Sequence, residues 1–431
     1  MSDSASSEPT GFDRFGLHEA LERGIHAAGF ETPWPIQAET IPAGLDGKDV
    51  LGLAQTGTGK TAAFALPLLH RLLQERSKGP RVLVLAPTRE LATQIAEEVR
   101  TLARFTRVKT VTIFGGVSMR GQVNALRGHP EIVVGCPGRV LDLIQQGVLR
   151  LGRVETLVLD EADHMFDMGF LPDIRKILAE LPTRRQNLLF SATMPKEVRG
   201  LANDLLHRPH VVELADAAPA ATIDHALVLV AEKRKRDLLE HVLNGNDCDS
   251  AIVFTRTKHR ARRLAMQLTK AGHRAVGLQG NQSQAQRDRA MRGFRSRRYD
   301  ILVATDIVAR GIDVSNVSHV INFDVPNTPE AYTHRIGRTG RAEREGIART
   351  FVAGDDYGWV RATERMIGAP IPLHQFKGFE HDAPEKPERH MAPRSHARGE
   401  RSGAPKRNTQ RGSTAGRRRR RRRPAGRASA A

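Results

Sequence analysis

The run AQTGTGKT, Ala54 to Thr61, carries the first chemistry legible in this chain of 431 residues. With Ala54 in the first glycine's place it matches the phosphate loop G-x-x-x-x-G-K-[ST], and it follows the apolar run DVLGLA. In such a loop Gly57 and Gly59 let backbone N–H groups curl around phosphate oxygens, with Gln55, Thr56 and Thr58 completing the cradle. Lys60 reaches the β and γ phosphates, and the Thr61 hydroxyl can ligate Mg²⁺ at a helix N-terminus. A glycine-rich turn between a strand and a helix is the plainer alternative; the Lys-Thr ending argues against it.

A phosphate loop needs an acidic partner at the end of a neighbouring strand. TLVLDEAD supplies Asp160 for the metal and Glu161 to orient and deprotonate an attacking water. By itself that tetrapeptide could be a solvated acidic turn. Further along, HRIGRTGR spaces Arg335, Arg338 and Arg341 three residues apart, which reads either as a basic surface helix or as arginine fingers stabilising a transferring phosphoryl group. Ahead of the loop, GFETPWPIQ ends in Gln37, whose amide can donate and accept at once. That matches the N7 acceptor and N6 donor of adenine, so Gln37 could choose ATP over GTP; the alternative is a solvated loop side chain.

Groups like these need strands to present them. VLGLA, VLVLAP, TVTIFGG, IVVGCP, TLVLDEAD, NLLFSAT and HVVEL recur between Asp49 and Leu214, followed by HALVLV, AIVFTRT, AVGLQG, DILVATD, HVINFDVP and GIARTFVA. Runs apolar on both faces suit buried parallel sheets flanked by helices, so two tandem α/β domains are expected. Domain one is set at 12–214 and domain two at 223–374, joined by a small-residue linker at 215–222. Residues 1–11 and 375–431 are expected to be disordered.

Composition points to a polyanionic partner. The chain holds 67 Lys and Arg against 48 Asp and Glu, a formal net charge of +19. Residues 375–431 account for a net +12 of this, and they include the unbroken run Arg417 to Arg423. Such a segment binds phosphates strongly and without sequence preference, so it reads as a tether for RNA; compositional drift that only aids solubility is the competing reading. The two cysteines, Cys136 and Cys248, have no metal-ligand spacing. There is no apolar leader and no run of eighteen apolar residues, so a cytoplasmic, membrane-free protein is expected.

Taken together, the motifs resemble those of the DEAD-box ATP-dependent RNA helicases of superfamily 2, in order and spacing, from about Phe12 to Ala353. Beyond the phosphate loop and Asp160 to Asp163 these are APTRELA, GG at Gly115 and Gly116, CPGR, SAT, AIVFTRTK, QSQAQR, ATDIVARGID and HRIGRTGR. The style of VLDEADHMFDMGF is similar to the bacterial RhlE-type branch.

The resemblance implies two RecA-like domains with parallel central sheets that close on ATP, Mg²⁺ and single-stranded RNA. It implies that Ser191 and Thr193 couple the nucleotide and RNA sites, and that Asp163 meets His334 across the cleft. Arg338 and Arg341 match the arginine fingers, Asp313 the residue near the ATP ribose, and Phe12 a ring that stacks on adenine. RNA would be held by Pro87, Thr88, Arg89, Gly116, Gly138 and Arg139 in domain one, and by Arg287, Thr305, Asp306 and Gly311 in domain two. Contacts of this kind go to phosphates and 2′-hydroxyls, so they position a strand without reading its sequence.

Two positions depart from the pattern. Cys136 replaces a usual Thr, as a buried inert or a redox-sensitive thiol, and Trp34 replaces a small residue beside Gln37. The activity implied is RNA-stimulated ATP hydrolysis coupled to local duplex separation or ribonucleoprotein remodelling. An ATP-gated RNA clamp or annealing chaperone dominated by the basic tail is the competing expectation.

Overall fold

The computed structural model describes residues 11–54, 58–75, 79–214, 223–245, 247–306, 317–340 and 345–380. Elements follow in chain order as α1 (Glu19–Ala27), α2 (Pro35–Leu45), β1 (Val50–Leu53), α3 (Lys60–Gln74), β2 (Val82–Leu85), α4 (Arg89–Leu102), β3 (Thr110–Ile113) and α5 (Met119–Leu126). Next come β4 (Ile132–Gly135), α6 (Pro137–Gln145), β5 (Thr156–Leu159), α7 (Ala162–Asp167), α8 (Leu171–Ala179), β6 (Gln186–Ser191), α9 (Lys196–Leu205) and β7 (His210–Glu213). The second series is β8 (Ile223–Leu229), α10 (Lys235–Leu243), β9 (Ala251–Phe254), α11 (Lys258–Lys270), β10 (Ala275–Leu278), α12 (Gln284–Arg295), β11 (Ile301–Ala304), β12 (His319–Asn322) and β13 (Gly346–Val352). Helices Pro329–Ile336 and Tyr357–Ile367 flank β13.

Every apolar run read as a strand is one. The strands form a seven-stranded sheet in the order β3-β4-β2-β5-β6-β1-β7 and a six-stranded sheet in the order β10-β11-β9-β12-β13-β8. All pairings are parallel. Strands β2, β4, β5 and β6 are buried at every position, which is why they read as continuous rather than alternating apolar runs. Each sheet sits between two apolar layers. On the first, Phe64 and Phe190 centre one layer and Met165 and Leu189 the other; on the second, Tyr332 and Leu302 face Phe351 and Leu239.

A recurring device starts three of the helices. Thr88 accepts from Leu91 N at 3.3 Å, Thr257 from Arg260 N at 3.2 Å, and Thr328 from Ala331 N at 3.3 Å. Each hydroxyl satisfies one of the orphan N–H groups of a helix's first turn, so the motif residues beside it are held at a fixed place on the sheet's rim.

The expected end of domain two at residue 374 is too early. Leu227 N donates to Pro372 O and His374 N to Leu227 O, both at 2.8 Å, so this segment covers the free edge of β8. The rings of Phe376 and Phe379 then pack on His241 with centroids 5.8 and 5.7 Å away, and Arg234 lies over Phe379. Two aromatics in a polar stretch carry the fold past the point where composition changes.

Candidate nucleotide and RNA cleft

In the first sheet, register places the carboxyl ends of the strands level. Leu53 pairs with Ser191, and Leu85 pairs with both Leu159 and Gly135. The order β5-β6-β1 therefore gathers Asp160, Ser191 and the start of the phosphate loop on one half of the rim. On the other half, β3-β4-β2 gathers Gly116, Cys136 and Pro87 to Arg89. A switch between adjacent strands in a parallel sheet is where ligands of such folds bind.

Gln37 is fully buried beneath the phosphate loop. Its Nε2 donates to Gly59 O at 3.1 Å, and its Oε1 accepts from Trp34 N at 2.9 Å. Gly59 has φ +82°, and a Cβ there would lie 2.4 Å from Gln37 Nε2, so loop and amide require each other's shape. Among the described residues each amide atom keeps one further valence, but the side chain is fully buried, so adenine would reach it only by displacing what covers it. The indole of Trp34 is 53% exposed. Only the backbone of residue 34 does the capping, which is why an unusual side chain is accommodated there. Phe12 is buried, with Phe15 and Phe30 packed against it at 6.0 Å in edge geometry, so a stacked adenine would have to displace part of that cluster.

Lys60 opens α3 and donates from Nζ to Ala54 O at 2.8 Å. Burial pushes the Asp160 carboxyl up to about 6 against the pull of Lys60, with Glu161 and Asp163 adding to the rise. A buried carboxylate of this kind, under the charge of Lys60, with the hydroxyl of the next residue, Thr61, also buried, fits a hard divalent cation that takes one or two protein oxygens and keeps its phosphate and water ligands. Among the described residues no group of three or more His, Cys, Asp and Glu could hold a metal alone.

Glu161 has φ +53°, a left-handed backbone uncommon outside glycine. Its Oε2 lies 2.9 Å from His164 Nδ1, one turn along α7, whereas Oε1 is buried without a hydrogen-bond partner among the described residues. Burial alone would push this carboxyl up. The His164 charge and hydrogen bond, with Lys60 and Arg338, outweigh it and hold the group at about 2. It therefore stays ionised and suits orienting a water better than holding its proton, because a base works best with a pKa near the working pH. Arg338 is buried and comes from the second domain.

Asp163 Oδ2 accepts from Thr193 N at 3.0 Å and Thr193 Oγ1 at 2.9 Å, while Ser191 Oγ accepts from Asp163 N at 3.2 Å. Burial raises Asp163 and the charges of His164, His334 and Lys60 lower it, with the lowering dominant. The charge of His334 thus acts on Asp163, and His334 also meets the neighbouring residue: its Nδ1 lies 3.2 Å from His164 Nε2, with the rings perpendicular.

On the RNA half of the rim, Arg89 reaches Gln284 Oε1 of domain two at 3.4 Å. Gly116 has φ +77°, and a Cβ there would sit 2.2 Å from Arg89 Nη1. Arg139 donates to Val117 O at 3.4 Å and pairs with Asp142, with Gly138 beside it on α6. Pro87, Thr88 and Thr305 are buried at strand ends. Arg287 is paired across the domains with Glu90, with Nε and Nη2 at 2.7 and 2.5 Å from Glu90 Oε1, so an RNA phosphate would have to compete with that carboxylate.

Both oxygens of Asp306 accept from Arg335, at 2.5 and 2.7 Å, so any 2′-hydroxyl that reached it would share a carboxylate already paired within its own domain. Arg335 also donates to Asn322 Oδ1 and Asp324 O and lies over the Phe254 ring, which makes it a core residue of its own domain. Cys136 is buried, and burial first, then Glu90, pushes its thiol up to about 12, the inert alternative. Gln55, Thr56, Gly57, Gly311, Asp313 and Arg341, the linker and the arginine-rich tail lie outside the described residues. No described helix is long and apolar enough to cross a membrane.

Sequence reasoning missed Glu90, Gln284 and His164. The first two needed a tertiary partner to be noticed; His164 had a local signal, its i,i+3 spacing from Glu161 on a helix.

Comparison with known proteins agrees with this geometry. Residues 34–201 match the family model described as DEAD/DEAH box helicase, and residues 234–343 match the helicase conserved C-terminal domain. The chain is 47% identical over 356 residues to a Listeria monocytogenes protein named ATP-dependent RNA helicase CshA, covering 82% of this chain and 68% of that protein. A Bacillus subtilis protein named DEAD-box ATP-dependent RNA helicase CshA is 46% identical over 355 residues, covering 82% and 72%. Among solved structures, Saccharomyces cerevisiae Dbp5 bound to RNA and ADP BeF3 is similar with a TM-score of 0.75 and 32% identity, covering 84% of this chain and 96% of that one. Mss116p bound to ssRNA and AMP-PNP gives a TM-score of 0.77 and 29% identity, covering 85% and 79%. The RhlE-type branch gains no support from these relatives.

Proposed function

From a chain that belongs to the DEAD-box family of ATP-dependent RNA helicases, we propose an enzyme that hydrolyses ATP to separate short RNA duplexes locally or to remodel ribonucleoproteins. The phosphate loop with Lys60 binds the triphosphate, and Gln37 ties adenine recognition to the shape of that loop. Thr61 and Asp160 would hold Mg²⁺, which when bound neutralises charge on the phosphates. Glu161 orients the water that attacks the γ-phosphorus; as the bond to ADP breaks the water's proton passes to an oxygen of the released phosphate, while Arg338, with Arg341, stabilises the charge on the transferring group. Arg89, Gly116, Gly138, Arg139, Arg287 and Thr305 face the RNA backbone.

The observation that carries this reading is the open Oε1 of a buried, ionised Glu161, with Lys60 and Asp160 from one domain and Arg338 from the other converging on it. A water held there meets acceptor and positive charge together only when both domains are in place. The test compares RNA-stimulated ATP turnover and multiple-turnover separation of a short duplex for the full chain and for Glu161→Gln. The variant should bind RNA with ATP yet fail to turn over. Sustained duplex separation by Glu161→Gln would make the mechanism wrong.

A further inference from the structure

His164 directly follows the four residues of the acidic motif and is buried, with both ring nitrogens engaged. Its Nδ1 is 2.9 Å from Glu161 Oε2 and its Nε2 is 3.2 Å from His334 Nδ1. Its ring thus bridges the group that faces the attacking water and a residue of the second domain. Glu161 sits on a left-handed backbone, and its other oxygen has no hydrogen-bond partner among the described residues. His164 is therefore its side-chain hydrogen-bond partner among the described residues, and it decides where Oε1 is aimed.

We infer that His164 is a positioning residue that makes the aim of Glu161 depend on the approach of His334, so that the water-orienting carboxylate is set correctly only when the second domain is docked. An ionised Glu161 carboxylate only accepts, so Nδ1–H faces it, while the hydrogen bond between Nε2 and His334 Nδ1 anchors the ring from the other side. Without that contact the ring keeps one anchor instead of two, and the hydrogen bond that aims Glu161 loses its fixed direction. This inference rests on the assignment of Glu161 as the group that faces water.

Substituting amides separates the two sides of the ring. Asn places its amide near the position of Nδ1, and Gln places it near that of Nε2. The measurement is steady-state ATP turnover by the full chain with and without single-stranded RNA, together with KM for ATP and thermal melting, for wild type, His164→Ala, His164→Asn, His164→Gln and His334→Ala. His164→Ala should lower the RNA-stimulated kcat by roughly 10-fold to 100-fold, the scale of a misplaced catalytic group, while KM for ATP moves less than about threefold. His164→Asn should recover part of the basal rate but keep a low ratio of stimulated to basal rate. His164→Gln should recover more of that ratio than of the basal rate. Combined with His334→Ala, the loss in ratio for His164→Ala should be far from additive.

A wild-type ratio in His164→Ala, additive losses, or rates that fall in step with melting temperature across all variants would each overturn the inference. Glu161→Gln is the separating control. If it turns over ATP like wild type, the assignment of Glu161 fails; if it is dead while His164→Ala behaves as wild type, only the role of His164 fails.

Discussion

Both sheets are all parallel and both display their chemistry at strand carboxyl ends, yet the charges there are held in opposite ways. In the first domain Lys60, Asp160, Glu161 and Asp163 are buried together and bound mostly to their own domain's loops and helices. In the second, Arg335 is held internally, while His334 and Arg287 bond to groups of the first domain and the charge of Arg338 acts on Glu161. The first domain can thus bind a nucleotide with its own residues. The second brings the Arg338 charge to Glu161 from across the domains, so under the proposed mechanism hydrolysis would be conditional on closure.

The sharpest way to break that contrast uses two arginines three residues apart. Arg338→Ala should lower ATP turnover by roughly 10³-fold or more, the scale of a lost arginine finger, with little change in melting temperature. Arg335→Ala should do the reverse in kind. It strands Asp306 and the oxygens around Asp324, and about 3–5 kcal/mol of stability should vanish in denaturant unfolding. If the two variants lose activity and stability in the same proportion, the division between a reaching and a locked arginine is wrong.

The buried carboxylates of the first domain give a pH signature. Glu161 has a depressed folded pKa, so its contribution to stability is present above its ordinary value of 4.5 and is lost as pH falls toward about 2. Glu161→Gln should therefore shed less stability than wild type over that acid window, measured by thermal melting. An identical acid profile for the two proteins would show that Glu161 is not held ionised by His164, Lys60 and Arg338.

What the sequence made legible follows the range of the interactions. The strands stood out because a parallel sheet buried on both faces demands unbroken apolar runs, and the phosphate loop and acidic motif because their spacing is local. The pairings of Arg287 with Glu90 and of Arg335 with Asp306 span residues far apart in the chain, and nothing in QSQAQR or HRIGRTGR tells which arginine turns inward. Phe376 and Phe379 were hidden for a different reason: composition averages over a window, and two rings seated on His241 do not alter the average.

Gln37 and Trp34 give the mildest test of the comparison, because both lie at the entry to the self-sufficient first domain. Gln37→Ala would leave Gly59 O and Trp34 N without their partner, a loss of about 1–3 kcal/mol, and should weaken ATP binding and the preference for ATP over GTP together. An unchanged preference with lowered stability would mean that the amide only braces the phosphate loop. Trp34→Ala should shift stability by no more than about 0.5 kcal/mol, since the indole is exposed and the backbone makes the cap. A larger loss, or altered nucleotide choice in Trp34→Ala, would mean that the ring itself takes part in ligand binding.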